Sequence, residues 1–159
     1  MAATMRVEGI EELSEKLSRL GEMAGDVASR ALYDGAGVMA GAYAQAARSI
    51  RAEKFRYAFG GQKRYPSFEE KDALQGKTGI AKFEKNGAEV NTAVGISAGG
   101  YAQIAGKQRA VRKIANAINS GTSFIVKQPV FRQAAAQARG AASAAIVAKA
   151  DRLIEEITK

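Results

Sequence analysis

The C-terminal stretch constrains this chain more than any other feature. From Val130 to Ile157 the residues Phe131, Ala135, Ala138, Ala142, Ile146, Leu153 and Ile157 recur on one face of a 3.6-residue period. Pro129 stands where a helix of that extent would begin. The spacing predicts a single helix over 130–158, about 40 Å long. Its stripe is mostly alanine, so a neighbouring backbone can approach closely. Either a groove within this chain or a helix from another would satisfy it.

A second helical pattern opens the chain. Ile10, Leu13, Leu17 and Leu20 share one face, and Glu11, Glu12 and Glu15 load the early turns, where the helix dipole favours anions. Gly21 and Gly25 are expected to close this helix. A further pattern through Leu32, Met39, Tyr43, Ala46 and Ile50 then predicts a second helix over 26–50. Gly35, Gly37 and Gly41 each weaken it by about 1 kcal/mol, which points to close packing against another helix.

Between the helical ends the period changes. Residues 51–76 gather Gly60, Gly61, Pro66 and many charges among Phe55, Tyr57, Phe59, Tyr65 and Phe68, the pattern of a loop or an arm. Val90, Thr92, Val94 and Ile96 alternate with Glu89, Asn91, Ala93 and Gly95, and Asn86-Gly87 is a type I′ turn signal. Residues 77–97 are therefore expected to hold a β-hairpin, 78–84 against 88–96. After Gly99-Gly100, Val111, Ile114, Ala115 and Ile118 mark a short helix ending near Asn119-Ser120-Gly121, with Arg109, Arg112 and Lys113 on its other side. The expected fold is a single α+β domain over 1–159: two N-terminal helices, a small antiparallel β-sheet with a hairpin, and a long C-terminal helix. A sheet that small leaves unpaired edges, which cyclic assembly would bury.

Composition narrows the chemistry. Among 159 residues, 47% of them apolar, there is no cysteine and no histidine. That removes thiolate nucleophiles, disulfides, imidazole bases and the commonest zinc ligands. No basic stretch with an apolar h-region opens the chain, and no run approaches the roughly 20 apolar residues of a membrane span. A soluble protein of a reducing compartment is expected, with no membrane association. The net charge of +8 is concentrated in residues 51–130, which hold fourteen basic and six acidic side chains. Such a positive middle suits nucleic acid or an acidic neighbouring subunit.

Catalytic motifs are poorly represented. Gly76-Lys77-Thr78 resembles the end of a phosphate-binding loop, but Lys71 stands where that motif needs its first glycine, so a strand-leading turn is the better reading. Gly95, Gly99, Gly100 and Gly106 miss the dinucleotide spacing and are read as a flexible surface loop. Glu69, Glu70 and Asp72 could act as acid and base or hold a cation, yet their polar surroundings predict a solvated loop. No cofactor and no metal is expected, and the chain is read as a non-enzyme. The basic side at 109–113 and the aromatic–basic mix from Arg51 to Arg64 are the features that resemble a nucleic-acid surface.

The segment from Asn119 to Ala134, with Gly121, Thr122, Pro129, Phe131, Arg132 and Ala134, resembles the tail-completion, or head–tail joining, proteins of siphophages and prophages. The opening Val7-x-Gly9-Ile10-x-x-Leu13 and the Thr78-Gly79-Ile80 lead into the sheet are similar to that family as well, and Tyr101 matches its tyrosine after the sheet. The chain departs from the pattern at Asn119 and Ser120, where an acidic residue and an aromatic are usual. Residues 51–76 are also longer than the usual linker.

The resemblance implies a structural subunit of the virion, in its tail or neck, assembled in the bacterial cytoplasm. It would form a ring, of six copies by analogy with tail symmetry, and dock the tail to the head. Its partners would be the tail terminator, head-closure and tail-tube proteins, with DNA in the channel as a further contact. Tyr101, Arg109, Arg112, Lys113, Gly121, Thr122, Pro129, Phe131 and Arg132 are the expected interaction residues. A basic nucleic-acid-binding protein is the alternative.

Overall fold

The computed structural model describes residues 10–86, 89–96 and 100–159. In chain order the elements are α1 (Ile10–Ser49), α2 (Phe68–Asp72), β1 (Thr78–Ile80), β2 (Glu84–Asn86), β3 (Glu89–Asn91), β4 (Val94–Ile96), β5 (Tyr101–Ile104), β6 (Lys107–Ala110), α3 (Val111–Ser120) and α4 (Val130–Thr158). The protein mixes helix and strand, with a long helix at each end of the chain and short antiparallel ladders between them.

The first helix corrects the expectation of two. α1 runs for 40 residues without a break at Gly21 or Gly25. Both glycines face open space, so each costs only the roughly 1 kcal/mol of lost propensity. Packing of the following turns against α4 outweighs that cost. The two helices lie antiparallel and approach closely at Gly35: a Cβ there would strike Ile146 and come within 3.0 Å of the Ala142 carbonyl oxygen. Gly37 and Gly41 meet nothing, so close packing accounts for one of the three glycines.

The α4 stripe is as the period predicts. Phe131, Ala142 and Leu153 are buried, and Ala135, Ala138, Ile146 and Ile157 are half-buried along the same face. Its partner is α1 of the same chain. Near its far end α4 shares a cleft with Arg19, Met23 and Val27 of α1. The turns before Arg19 run on past the end of α4, and Leu17, expected on the packed face, is 59% exposed.

The core lies at the opposite end, where α1 stops and α4 starts. Ala46 and Ala47 of α1, with Ile50 just after its end, meet Leu74, Ile104, Phe131 and the inner face of α3, which is Val111, Ile114, Ala115 and Ile118. Burying each large aliphatic is worth about 1.5–3 kcal/mol. Tyr43 and Phe131 stack across the helix pair at 5.7 Å between ring centroids. A reciprocal amide clamp joins the two helix ends: the Arg51 N–H donates to Gln128 Oε1 at 2.9 Å, and Gln128 Nε2 donates to the Arg51 carbonyl at 3.0 Å.

In place of one small sheet, the described residues form three two-stranded ladders. β1 pairs with β4, Thr78 opposite Ile96 and Ile80 opposite Val94; β2 pairs with β3, Glu84 opposite Asn91. These are two halves of the expected 78–96 hairpin. Residues 81–83 on one strand face only 92–93 on the other, a one-residue bulge that interrupts the ladder. The Ala81 N–H still donates across it to the Ala93 carbonyl, and Thr92 Oγ1 donates to the Ala81 carbonyl. Gly87 of the turn signal lies outside the described residues. The ribbon rests on α1, with Phe83 tilted against Tyr33.

The third ladder, β5 with β6, forms where the sequence carries no apolar alternation. Ile104 pairs with Lys107 across the two-residue turn Ala105-Gly106, and both turn residues have positive φ, 49° and 75°. That is the backbone a type I′ turn requires, so Gly106 belongs to a tight turn and not to a flexible loop.

Candidate interaction surface

The surface around α3 is built on residues 51–76. Bridges join Glu53 to Ser67 and Arg64 to Ile125, so this segment lies against the body of the protein. Ser67 caps α2: its Oγ accepts from the Glu70 N–H, while Glu70 Oε2 accepts from the Ser67 N–H at 2.8 Å. This capping box satisfies two amides that would otherwise be orphaned at the helix start. It also turns Glu70 inward.

Glu70 is 1% exposed, which overturns the expectation of a solvated carboxylate. Arg64, itself buried, meets it as a fork: Nη1 donates to Oε2 at 2.7 Å and Nη2 to Oε1 at 2.8 Å. Nη1 also donates to the Tyr65 carbonyl, and the guanidinium lies over the Phe55 ring at 5.1 Å. Burial alone would raise the Glu70 pKa. The hydrogen bonds from Arg64 and Ser67 and the charges of Arg64 and Arg109 outweigh burial and hold it below the ordinary carboxylate value. The same pairing with Glu70, against desolvation, raises Arg64 above its usual value.

The three clustered carboxylates do not converge. Glu69 Oε2 accepts from the Ala105 N–H at 2.9 Å and ties α2 to the β5–β6 turn. Asp72 is exposed and accepts from Gln75 Nε2. With Glu70 locked to Arg64, no acid–base pair remains at a common point. Among the described residues no three metal-ligating side chains come together.

The nine residues singled out in the sequence divide between the two flanks of α3 and its C-terminal end. On one flank, Tyr101, Arg109, Lys113 and Thr122 line a cleft of about 440 Å³ together with Glu70, Ile114 and Phe124. Tyr101 is 65% exposed and Phe124 47%. Arg109 Nη1 stands 3.9 Å from Glu70 Oε1, a carboxylate already filled by Arg64. On the other flank, Arg112 and Arg132 border a cleft of about 460 Å³ with Tyr43 and Phe131 at its inner side. No carboxylate among the described residues pairs with Arg112, Lys113 or Arg132.

Three of the nine serve the fold. Phe131 is 6% exposed and belongs to the core. Pro129 occupies the N-cap of α4. Gly121 ends α3 at φ 75°, and a Cβ there would press on Lys127 at 2.9 Å, so no other residue fits. Thr122 Oγ1 accepts from the Ile125 N–H and shapes the turn that presents Phe124.

The chain matches no known protein family, no curated protein and no solved structure. Charge and exposure therefore define the surface. Residues 31–144, which build the body, hold seventeen basic and seven acidic side chains. Residues 10–30 and 145–159, at the far end of the helix pair, hold six and eight. Among the described residues no helix is long and apolar enough to cross a membrane.

Proposed function

We propose that this chain is a non-enzymatic structural subunit at the head–tail joint of a long-tailed bacteriophage, assembling as a ring that docks the tail to the head. The sequence resemblance supplies the family. The observation that supports an assembly role is the set of three two-stranded ladders, none of which gains a third strand among the described residues. Open ladder edges and exposed apolar side chains are surfaces that partner chains cover. Tail terminator, head-closure and tail-tube proteins are the partners in this reading, and six copies follow from tail symmetry.

The basic excess of the body favours the alternative, direct binding of nucleic acid. Light scattering on the purified protein separates the two. A discrete ring of the 16.8 kDa chain, unaffected by duplex DNA, is the expected result. A monomer that retards duplex DNA at low salt, with retention falling steeply as salt rises, would replace the ring reading with the alternative.

A further inference from the structure

We propose that the Tyr101–Phe124 cleft holds an unpaired nucleic-acid strand, with bases stacked on its rings and phosphates set against the cations around it. The proposal goes beyond the ring reading and does not depend on it, since the cleft belongs to a single copy.

Charge singles out a polyanion. From Val90 to Ala150 the chain carries eight basic side chains and no acidic one. This stretch supplies β5, β6, α3, the turn after α3 and most of α4. A field of one sign over that extent draws polyanions in from solution. Among the described residues, Glu70 is the one carboxylate that lines the cleft, and both of its oxygens are held by Arg64. Arg109, at 3.9 Å, therefore adds a charge beyond the one that Glu70 neutralises. Lys113 is exposed and has no carboxylate partner among the described residues.

The rings and the size of the cleft select an unpaired strand. Tyr101 and Phe124, both exposed, line the same cleft as Arg109 and Lys113. Their backbones are held: Tyr101 pairs with Ala110 in the β5–β6 ladder, and Thr122 Oγ1 accepts from the Phe124 and Ile125 N–H groups. Every base has a π-face for such a ring, and neighbouring cations follow the phosphate backbone. A duplex hides those faces in its own stack. A cleft of about 440 Å³ is of small-ligand size, with room for a base and its sugar but not for a double helix. A nucleic-acid strand brings a flat ring and an anion with every residue, whereas an acidic peptide brings the anion alone. Glu70 and Thr122 are already engaged, so the cleft offers little to a ribose 2′-hydroxyl, and the contacts are ones that DNA and RNA share.

Fluorescence anisotropy of a labelled oligothymidylate of about ten nucleotides, within the span of a single-strand site, tests the proposal on the full chain. Saturable binding at low salt is expected, tighter than that of a duplex of the same length or of polyglutamate. Tyr101→Ala with Phe124→Ala is expected to weaken binding by about 5- to 150-fold per ring lost, whereas Tyr101→Phe, which keeps the ring, binds as the unmodified chain does. Lys113→Gln is expected to reduce the slope of log affinity against log salt by about 0.7, the share of one phosphate on a single strand. Circular dichroism establishes that each variant is folded. An RNA oligomer is expected to bind like the DNA, and a strong preference for RNA would overturn the assignment of contacts. The proposal is overturned by an oligomer that does not bind at low salt, by folded ring variants that bind undiminished, or by a duplex held as tightly as the single strand. Polyglutamate held more tightly than the oligomer would overturn it in favour of an acidic protein partner. Copy number is read separately by light scattering, so this proposal and the ring reading fail independently.

Discussion

Replacing Glu70 with glutamine removes one charge from a buried pair and leaves the other in place. Arg64 is 4% exposed, and its fork to Glu70 is made at 2.7 and 2.8 Å. Leaving one partner of such a pair unmatched costs about 3–5 kcal/mol. For a chain of this size each kcal/mol lowers the melting temperature by about 2–4 °C, so Glu70→Gln should melt about 6–20 °C below the unmodified protein. The double change Arg64→Met with Glu70→Leu removes both charges together. It should recover most of that loss, short by the roughly 1 kcal/mol that the capping box contributes. Thermal and urea unfolding of the two variants decide the matter. A Glu70→Gln variant melting within about 2 °C of the original, or a double variant less stable than the single one, would refute the account of the pair as mutually neutralising buried charges.

The same pair gives a pH dependence. Glu70 has a pKa below the ordinary carboxylate value of 4.5 in the fold, so its stabilisation is complete above the unfolded value and is lost as pH falls through the lowered one. Urea midpoints measured from pH 6 down to pH 2 should fall in the acid range, and Glu70→Gln should flatten that fall. Gly35→Ala and Gly37→Ala should differ in sign: the first forces Ile146 and the Ala142 carbonyl aside and loses about 1–3 kcal/mol, the second gains up to about 1 kcal/mol of helix propensity. Phe131→Ala should lose about 3–5 kcal/mol and the Tyr43 stack, as shown by chemical denaturation, because this ring lies in the core.

Periodic features were legible and contacts between distant polar groups were not. The faces of α3 and α4 could be read residue by residue, since burial follows a 3.6-residue spacing. The continuity of α1 could not: whether a glycine breaks a helix depends on what packs beside it, and α4 lies more than a hundred positions away. The β5–β6 hairpin was hidden because Lys-Gln-Arg-Ala at 107–110 has no apolar alternation, and because alanine is an unusual occupant of a left-handed turn position. Glu70 stood in a polar run, so composition argued for solvent. One local signal did point to its role, the Ser67-x-x-Glu70 spacing of a capping box. The Arg51–Gln128 clamp left no pattern at all.

The antiparallel pairing of the first and last helices also sets an order of events at the ribosome. Gly35 finds Ile146 about 110 residues downstream, so at roughly 5–20 residues per second α1 waits several seconds for its partner to be made. During that interval Leu20, Val27 and Ala31 of α1 have no α4 to cover them, while the ribbon, α2 and α3 can already assemble against its C-terminal half. Closure of the helix pair is then the last step of folding rather than its nucleus, and truncation anywhere in α4 should leave a chain prone to associate through α1.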